Sequence, residues 1–256
     1  MLHYHKYSHP TSDTWLTFIH GAGGSSSIWY KQLQFFRKHY NILLIDLRGH
    51  GKSKKSFYKK LKSYDFKIVR HDVIEVLDHL EIQQTHMVGI SLGTIIIRDI
   101  AEHHGERVKS MVMGGAVMQL NLRGQFLMRL GNLLKSLIPY MILYKIFAWV
   151  IIPQKNHKTS RNIFVNEARK LDQKEFKKWF ALVAEINPLL ALFRIKDIGI
   201  PSLYLMGEED YMFLPAIEKL TAHQKHATLE IIPNSGHVVN IDQATIFNQS
   251  VLRFIA

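Results

Sequence analysis

The sequence predicts an α/β fold: a mostly parallel central sheet with helices on both faces and an inserted helical segment. Short, continuously apolar runs alternate along the 256-residue chain with longer stretches of helical patterning. Continuous apolar runs of this kind are typical of parallel strands that are covered on both faces. The alternation breaks between residues 118 and 188, where helical patterning continues without a strand-like run. That break predicts a group of helices inserted between two strands of the sheet.

Six apolar runs are expected to form strands, and a segment at the start of the chain would add an edge strand. The six runs occupy residues 15–19, 42–45, 86–89, 110–114, 202–206 and 229–232, and the edge segment occupies residues 2–7. The stretches between them predict helices over residues 28–38, 66–80, 95–103, 215–223 and 243–254. Alternation of strands and helices in this way favours a mainly parallel sheet.

The inserted segment divides the predicted architecture into a core, residues 1–117 and 189–256, and a helical cap, residues 118–188. Within the cap, helices are expected over residues 123–137, 140–152, 160–171 and 173–186, and Pro139 and Pro153 interrupt them. Ligands bind beyond the carboxyl ends of parallel strands, so a cap at that edge would cover the binding site.

Residues 137–152 are strongly apolar, and three interpretations compete for them. A membrane span needs about 20 apolar residues, whereas this run is shorter and contains Pro139 and Lys145. We favour a cap helix that packs on the core. In the third interpretation the apolar side chains line an acyl-chain channel or touch lipid, and basic side chains lie at headgroup level. The residues concerned are Tyr140, Met141, Phe147 and Trp149 for the apolar contact, and Arg123, Arg129, Lys135 and Lys145 for the headgroups.

Composition excludes several classes of site and partner. The chain has no cysteine, which excludes disulfides, thiolate metal sites and a cysteine nucleophile. Its net charge is +12, but the basic residues are mostly dispersed and the dense run over residues 52–62 falls in a loop, so we expect no nucleic-acid partner. Attraction to an anionic membrane and a basic soluble surface both explain the charge, and we favour the second. The first residues lack the apolar core of a signal peptide, which favours a cytoplasmic location.

The motif Gly89-Ile90-Ser91-Leu92-Gly93 follows the third predicted strand and precedes a predicted helix. This is the strand–turn–helix setting of a nucleophile elbow, in which strained backbone holds a serine hydroxyl exposed. Glycines on either side let the strand and the helix approach closely. A tight structural turn is the competing interpretation, because one short motif is only a hypothesis.

Four further motifs follow predicted strands and occur with the elbow in one order. They are His20-Gly21-Ala22-Gly23-Gly24, Asp46-Leu47-Arg48-Gly49-His50-Gly51, Gly207-Glu208-Glu209-Asp210 and Ser235-Gly236-His237. Together the five motifs resemble the α/β-hydrolase superfamily, in its esterase- and lipase-like branch with a helical cap. The resemblance covers nearly the whole chain outside the cap and implies the α/β-hydrolase fold.

The resemblance also implies a catalytic triad of Ser91, Asp210 and His237, in the chain order expected for this fold. A neutral serine hydroxyl attacks poorly, so a base, His237, would have to take its proton. A third group would hold the imidazole in the right tautomer and balance its charge. Asp210 is our choice for that group, and Glu208 and Glu209 are close competitors.

An oxyanion hole is implied at the backbone amides of Leu92, at a helix N-terminus, and Ala22, with Gly23 as the alternative to Ala22. In the family pattern His20 would brace this loop and His50 would belong to a structural turn near the site. A phosphate-binding loop is disfavoured, because neither Gly-Lys-Ser/Thr nor Gly-x-Gly-x-x-Gly occurs at the required spacing. We expect no metal and no organic cofactor.

These features predict a serine hydrolase that cleaves a small-molecule carboxylic ester through an acyl-enzyme. The apolar cap favours an apolar acyl group, such as that of a monoacylglycerol or a medium-chain ester, in contact with Gly23, Tyr140, Phe147 and Trp149. One alternative is a carbon–carbon bond hydrolase or a small-acid-eliminating enzyme of the same fold. Its carboxylated substrate would be held by Arg123, Arg129 and Arg161. The other alternative is a ligand receptor or signalling protein that retains the triad.

Overall fold

The computed structural model describes residues 1–55, 62–120, 122–135, 137–184 and 186–256. These residues form one seven-stranded sheet in the order β1-β3-β2-β4-β5-β6-β7. The strands are β1 Tyr4–Tyr7, β2 Trp15–Ile19, β3 Asn41–Ile45, β4 Thr85–Ile90, β5 Val108–Gly114, β6 Ser202–Gly207 and β7 Ala227–Ile232. The predicted edge strand β1 pairs antiparallel with β3, and every other neighbouring pair is parallel. The predicted α/β fold with a mostly parallel sheet is therefore confirmed.

The described residues form eleven α-helices, some of which cover the two faces of the sheet. They are α1 Tyr30–Phe36, α2 Phe66–His79, α3 Leu92–His103, α4 Leu122–Leu134, α5 Tyr140–Ile151, α6 Lys158–Ala168, α7 Gln173–Ala184, α8 Asn187–Ile195, α9 Leu214–Thr221, α10 Val239–Asp242 and α11 Ala244–Ile255. Alternate strand residues point to opposite faces, which produces two apolar layers. Leu43 and Ile45 pack in one layer with residues of α2 and α3. Ile42 and Leu44 pack in the other with residues of α1 and α11.

Helices α4 to α8, called the insertion helices below, connect β5 to its sheet neighbour β6. The sequence predicted four helices in this connection and missed α8. The predicted segment ends at Pro188, but this proline lies in the first turn of α8, where the missing N–H breaks no intrahelical bond. α8 thus continues past residue 188, and the division into a core (1–117 and 189–256) and a cap (118–188) stays a prediction.

Helix α5 carries most of the apolar run over residues 137–152. It buries Leu143, Tyr144 and Ala148 against neighbouring elements and spans 12 residues. None of the helices in the described ranges combines the length and the apolar character that crossing a membrane requires. The run is therefore packed as a short helix of the insertion.

Candidate active site

Ser91 lies at the turn between β4 and α3, with a φ of 54° and a ψ of −121°. Residues other than glycine rarely adopt a positive φ, so this turn is a strained conformation that the surrounding structure must hold. The Ser91 N–H donates to the carbonyl of Gly114, at the end of β5, at 3.0 Å. This bond ties the strained turn to the neighbouring strand and fixes the serine at the carboxyl end of the sheet.

The two glycines of the motif make this turn sterically possible. A methyl group on Gly93 would overlap the carbonyl oxygen of Ile19, and one on Gly89 would lie 2.6 Å from Ile97 Cδ1. Glycine at both positions is what lets α3 approach β2 and β4 so closely. The spacing of the motif therefore has a steric cause, independent of any chemistry at Ser91.

Three side chains from separate loops form one hydrogen-bonded line. Ser91 Oγ lies 2.9 Å from His237 Nε2, and His237 Nδ1 lies 2.8 Å from Asp210 Oδ2. An ionised carboxylate can only accept, which assigns the ring proton to Nδ1 and leaves Nε2 to accept from the serine hydroxyl. Asp210 and His237 are both buried. The structure thus brings together the three residues assigned to the triad.

The competing carboxylates make their hydrogen bonds elsewhere. Glu208 accepts from the backbone N–H of Asn234 at 3.4 Å. Glu209 accepts from Asn156 Nδ2 at 3.1 Å and lies 3.2 Å from Nε2 of His157. This geometry favours Asp210 as the partner of the triad histidine.

His157 is a residue of the site that the sequence did not indicate. It immediately precedes α6 and is buried, with Nδ1 3.3 Å from Asp242 Oδ2. Its ring lies against Gly236, where an added methyl group would be 2.9 Å from His157 Cδ2. His157 therefore links the insertion to the loops that carry Asp210 and His237.

The backbone amides assigned to the oxyanion hole belong to residues that line a cavity beside Ser91. In the described part of the chain neither Ala22 nor Leu92 donates its backbone N–H to a protein acceptor. The alternative amide, that of Gly23, donates to His50 Nε2 at 3.0 Å and is already engaged. This favours Ala22 over Gly23 as the second donor.

A buried histidine braces the loop that carries Ala22. The Leu47 N–H donates to His20 Nε2 at 3.0 Å, and His20 Nδ1 donates to the Gly21 carbonyl at 2.7 Å. Burial lowers the pKa of His20, which suits the neutral ring that this pattern requires. The placement matches the bracing role that the family resemblance implied for His20.

His50 makes a similar pair of hydrogen bonds with backbone groups, one through each ring nitrogen. Its Nε2 accepts from Gly23, and its Nδ1 donates to the Arg48 carbonyl at 3.0 Å. Burial, with a smaller contribution from the neighbouring His20, lowers the pKa of His50 to about 3. The ring is therefore neutral near pH 7 and acts as a fixed hydrogen-bonding brace.

Two aromatic side chains of the insertion helices bind the same loops, and no sequence motif indicates this role for either of them. Tyr144 Oη donates to the Ala22 carbonyl at 2.7 Å, and Trp179 Nε1 donates to the Arg48 carbonyl at 3.0 Å. Burial raises the pKa of Tyr144 well above its usual value, so the phenol stays a donor. Tyr144 lies one helical turn beyond Tyr140, and the rotation of α5 about its axis determines which of the two tyrosines reaches the loop of Ala22.

A cavity of about 140 Å³ lies between Ser91 and the insertion helices. Of the predicted substrate contacts, Gly23 and Phe147 line it. Its other side chains are almost wholly apolar: Ile95, Val117, Leu120, Met128, Ile151, Phe164, Leu171, Phe176, Trp179, Phe180, Val183 and Phe213. The space beside the serine therefore suits an uncharged hydrocarbon group.

Two predicted substrate contacts, Tyr140 and Trp149, lie outside this cavity, which corrects the expectation from sequence. Tyr140 donates to the Leu171 carbonyl at 2.8 Å. Trp149 is 57% exposed and lies under the guanidinium of Arg161, 3.8 Å from its ring centroid. The rotation of α5 turns Tyr144, which was not predicted, and the predicted contact Phe147 towards the cavity.

A second, smaller cavity of about 30 Å³ also reaches Ser91. It is lined by His237, which does not line the larger cavity, and by residues of α6 and α10 that include Ile163, Glu167 and Ile241. Ser91 therefore opens onto a large apolar space and onto a small space beside the histidine.

The cations considered for a carboxylated substrate do not face these cavities in the described chain. Arg161 donates to the carbonyls of Ile152 and Gln154 at 2.8 and 3.1 Å, and Arg129 is exposed. The side chain of Arg123 lies outside the described part of the chain, as does most of the basic run over residues 52–62. No cluster of three or more metal-type ligands occurs among the described residues.

Two curated proteins are similar to the chain over most of its length. The 3-oxoadipate enol-lactonase 2 of Acinetobacter baylyi is 26% identical over 243 residues, covering 92% of this chain and 86% of that protein. A carboxylesterase of Bacillus subtilis, itself described as uncharacterized, is 24% identical over 258 residues, covering 93% of this chain and 78% of that protein.

Solved structures share the fold. The enol-lactonase from Burkholderia xenovorans LB400 has a TM-score of 0.81 at 18% identity, covering 99% of this chain and 96% of that one. An esterase from Exiguobacterium antarcticum has a TM-score of 0.81 at 16% identity, covering 99% and 95%. A family model for the α/β-hydrolase fold matches residues 14–244. Because that match spans most of this chain, the chain belongs to the α/β-hydrolase family.

Proposed function

We propose that the chain is a carboxylic-ester hydrolase that forms an acyl-enzyme on Ser91. The observation that carries this proposal is the hydrogen-bonded line from Ser91 through His237 to the buried Asp210. A serine hydroxyl needs a base to attack a carbonyl, and the base needs a partner that holds its tautomer. The three side chains have the types and the distances for these roles.

Each chemical step has a residue to perform it. His237 Nε2 takes the proton of the Ser91 hydroxyl as Oγ attacks the ester carbonyl, and the Ala22 and Leu92 amides hold the negative oxygen. Each such donor lowers the barrier by about 3–4 kcal/mol. His237 then gives the proton to the leaving alcohol oxygen, and the acyl group remains on Ser91. His237 then takes a proton from water as its oxygen attacks the acyl carbonyl, and it gives that proton to Ser91 Oγ as the acyl–oxygen bond breaks and the acid is released.

The two cavities orient the ester. The proton reaches the alcohol oxygen from His237, so the alcohol must lie on the side of the serine that His237 lines, which is the small cavity. The acyl group then occupies the larger cavity, whose side chains are almost wholly apolar. This orientation favours an apolar acyl chain on a small alcohol, as in a medium-chain ester or a monoacylglycerol.

The alternatives from sequence have less support. A carbon–carbon bond hydrolase or a small-acid-eliminating enzyme would need a cation for the substrate carboxylate. Of the candidate cations whose side chains the structure describes, neither Arg129 nor Arg161 lines the cavities. Two relatives carry the names enol-lactonase and carboxylesterase, and both names refer to ester bonds of the kind proposed here. A receptor that retains the triad would turn over esters very slowly and keep the product tightly bound.

Labelling with a fluorophosphonate probe tests the nucleophile. Wild-type protein should be labelled, Ser91→Ala should not be, and His237→Ala should label far more slowly because the serine loses its base. Ser27→Ala, which removes an exposed serine, is the matched control and should label like wild type. A wild-type protein that takes no label would remove the central claim.

A pair of isomeric esters tests the orientation. Methyl nonanoate places the long chain on the acyl side, and octyl acetate places it on the alcohol side. We expect a higher kcat/KM for methyl nonanoate, because only the larger cavity accepts a long chain. In a series of methyl esters, activity that falls steadily as the acyl chain lengthens beyond acetate would exclude the proposed acyl group.

A further inference from the structure

The outward faces of α4 and α5, and the turn between them, carry large apolar side chains that remain exposed in the described chain. The exposed residues, called the outer stripe below, are Phe126, Leu130, Leu133, Leu137, Ile142, Ile146 and Trp149. A water-soluble surface rarely holds so many large apolar side chains on adjacent elements, and such surfaces mark sites of interaction.

The spacing of the outer stripe follows the helices. Positions 126, 130 and 133 on α4, and positions 142, 146 and 149 on α5, recur at intervals of three and four, which places each set on one helical face. The opposite faces of the same helices carry Met128 and Phe147, which line the larger cavity. Each helix is therefore apolar towards the cavity and apolar towards the outside.

The segment of chain that carries the outer stripe has charged side chains of one sign only. No aspartate or glutamate occurs between Glu106 and Glu167, an interval that includes α4 and α5 entirely. Arg129 and Lys145 are exposed between members of the stripe. The basic residues of the interval are Arg107, Lys109, Arg123, Arg129, Lys135, Lys145, Lys155, Lys158 and Arg161.

We propose that the outer stripe docks on the surface of an anionic lipid bilayer. Exposed apolar side chains with interspersed cations are what an amphipathic helix uses to lie in the headgroup region. Anionic lipid complements Arg129 and Lys145, whereas a second copy of this chain would bring the same cations together without a carboxylate from the interval to pair with them. The lipid surface is therefore the occupant that satisfies both the apolar area and the charge.

Trp149 adds to this argument. Its ring is half-exposed, and the buried Arg161 guanidinium covers one side of it at 3.8 Å. Arg161 is itself held by the Ile152 carbonyl at 2.8 Å, so the indole is fixed in place at the surface. Tryptophan is enriched at membrane–water interfaces, where an apolar body and a polar N–H both find partners.

Docking would place the lipid against the helices that form the wall of the larger cavity. A lipophilic ester could then pass from the bilayer to Ser91 without crossing bulk water. This delivery step rests on the proposed function, whereas the docking itself does not. Docking is therefore tested with Ser91→Ala, which cannot form an acyl-enzyme, as well as with the wild type.

The test is cosedimentation of the full chain with vesicles of phosphatidylcholine alone and of phosphatidylcholine mixed with phosphatidylglycerol, at low and high salt. We expect binding to the anionic vesicles that weakens with salt. The double variant Arg129→Gln/Lys145→Gln should bind about 30-fold more weakly, and Leu137→Ser should bind about tenfold more weakly.

Two matched controls lie outside the outer stripe. Ile195 is 83% exposed, close to the 80% of Leu137, so Ile195→Ser removes a similar apolar surface elsewhere. Lys219→Gln/Lys225→Gln makes the same change in net charge as the double variant, at exposed positions away from α4 and α5. Both controls should bind anionic vesicles like the parent protein.

Three results would overturn the docking proposal. The first is equal binding to neutral and anionic vesicles, and the second is an equal loss of vesicle binding in the stripe variants and in their controls. The third is a protein that binds no vesicles but forms concentration-dependent dimers, which Leu137→Ser abolishes. Failure of the proposed function is distinguishable, because fluorophosphonate labelling reports on Ser91 in the absence of vesicles.

Discussion

Gly23 provides a sharp test of how the insertion helices hold the loop that carries Ala22. Its φ is +70°, and a methyl group there would lie 2.6 Å from Tyr144 Oη and 2.9 Å from Cζ. Gly199 is a matched control, because its φ is +73° and a methyl group there would meet nothing within 4 Å. Comparing Gly23→Ala with Gly199→Ala therefore separates backbone strain from the contact with Tyr144.

The magnitudes follow from these two observations. Placing an L-residue in the left-handed region costs about 1–2 kcal/mol, and this cost is common to both variants. Overlap in a packed site costs roughly 1–3 kcal/mol more, and only Gly23→Ala incurs it. We therefore expect Gly23→Ala to lower the free energy of unfolding by about 2–5 kcal/mol in total, against about 1–2 kcal/mol for Gly199→Ala.

Urea unfolding measures the stability difference, and ester hydrolysis measures its effect on the site. Displacing Tyr144 should also move the Ala22 amide, so Gly23→Ala should lower kcat/KM about 100-fold, with Gly199→Ala close to wild type. In a Tyr144→Ala background the added cost of Gly23→Ala should fall to that of Gly199→Ala. Equal stability losses for the two glycine variants, with activity retained, would refute the reasoning.

Three further predictions concern the acid, a brace and the larger cavity. Asp210→Asn should lower kcat about 10⁴-fold because the amide favours the wrong His237 tautomer, whereas Glu208→Gln should stay near wild type; equal losses would reject Asp210. The pKa of His50 is about 3 in the folded protein and about 6.5 in the unfolded chain. At a pH between these two values, His50 takes up a proton only when the protein unfolds. The free energy of unfolding should therefore fall by up to about 1.4 kcal/mol per pH unit as the pH drops from about 6.5 towards 3. Urea titrations at several pH values should show a shallower fall for His50→Gln, and an unchanged slope would contradict the neutral brace. Val183→Trp should lower kcat/KM for methyl nonanoate far more than for methyl acetate, because the indole would fill part of the larger cavity. Equal losses of kcat/KM for the two esters would mean that the acyl chain does not occupy the space beside Val183.

The features predicted well from sequence are those with local causes. Gly89 and Gly93 were identified because a tight strand-to-helix turn requires glycine at both places, and the structure shows the overlaps that a side chain would produce. The strands were recognised because a strand covered on both faces must be apolar along its length. Asp210 as the partner of His237 was implied by the family resemblance, with Glu208 and Glu209 left open, and the distances favour Asp210.

The insertion helices were predicted less well because their signals are ambiguous. α5 is apolar on nearly all sides, so its sequence does not indicate which face turns inward. Of the three α5 residues predicted to contact substrate, Phe147 lines the cavity, whereas Tyr140 and Trp149 do not and Tyr144 does. α8 was missed because a proline ends a helix or begins one with equal ease, depending on where the first turn falls.

The sequence by itself determined the fold class, the serine turn and the order of the candidate triad, because each depends on residue type at fixed spacing along the chain. Tertiary structure alone decided which acid meets His237, which amides near Ser91 stay unengaged, and which side of the serine holds the large apolar space. It also separated the cavity face of α5 from its exposed face. These properties depend on how distant segments pack and rotate against one another, and no local pattern specifies that.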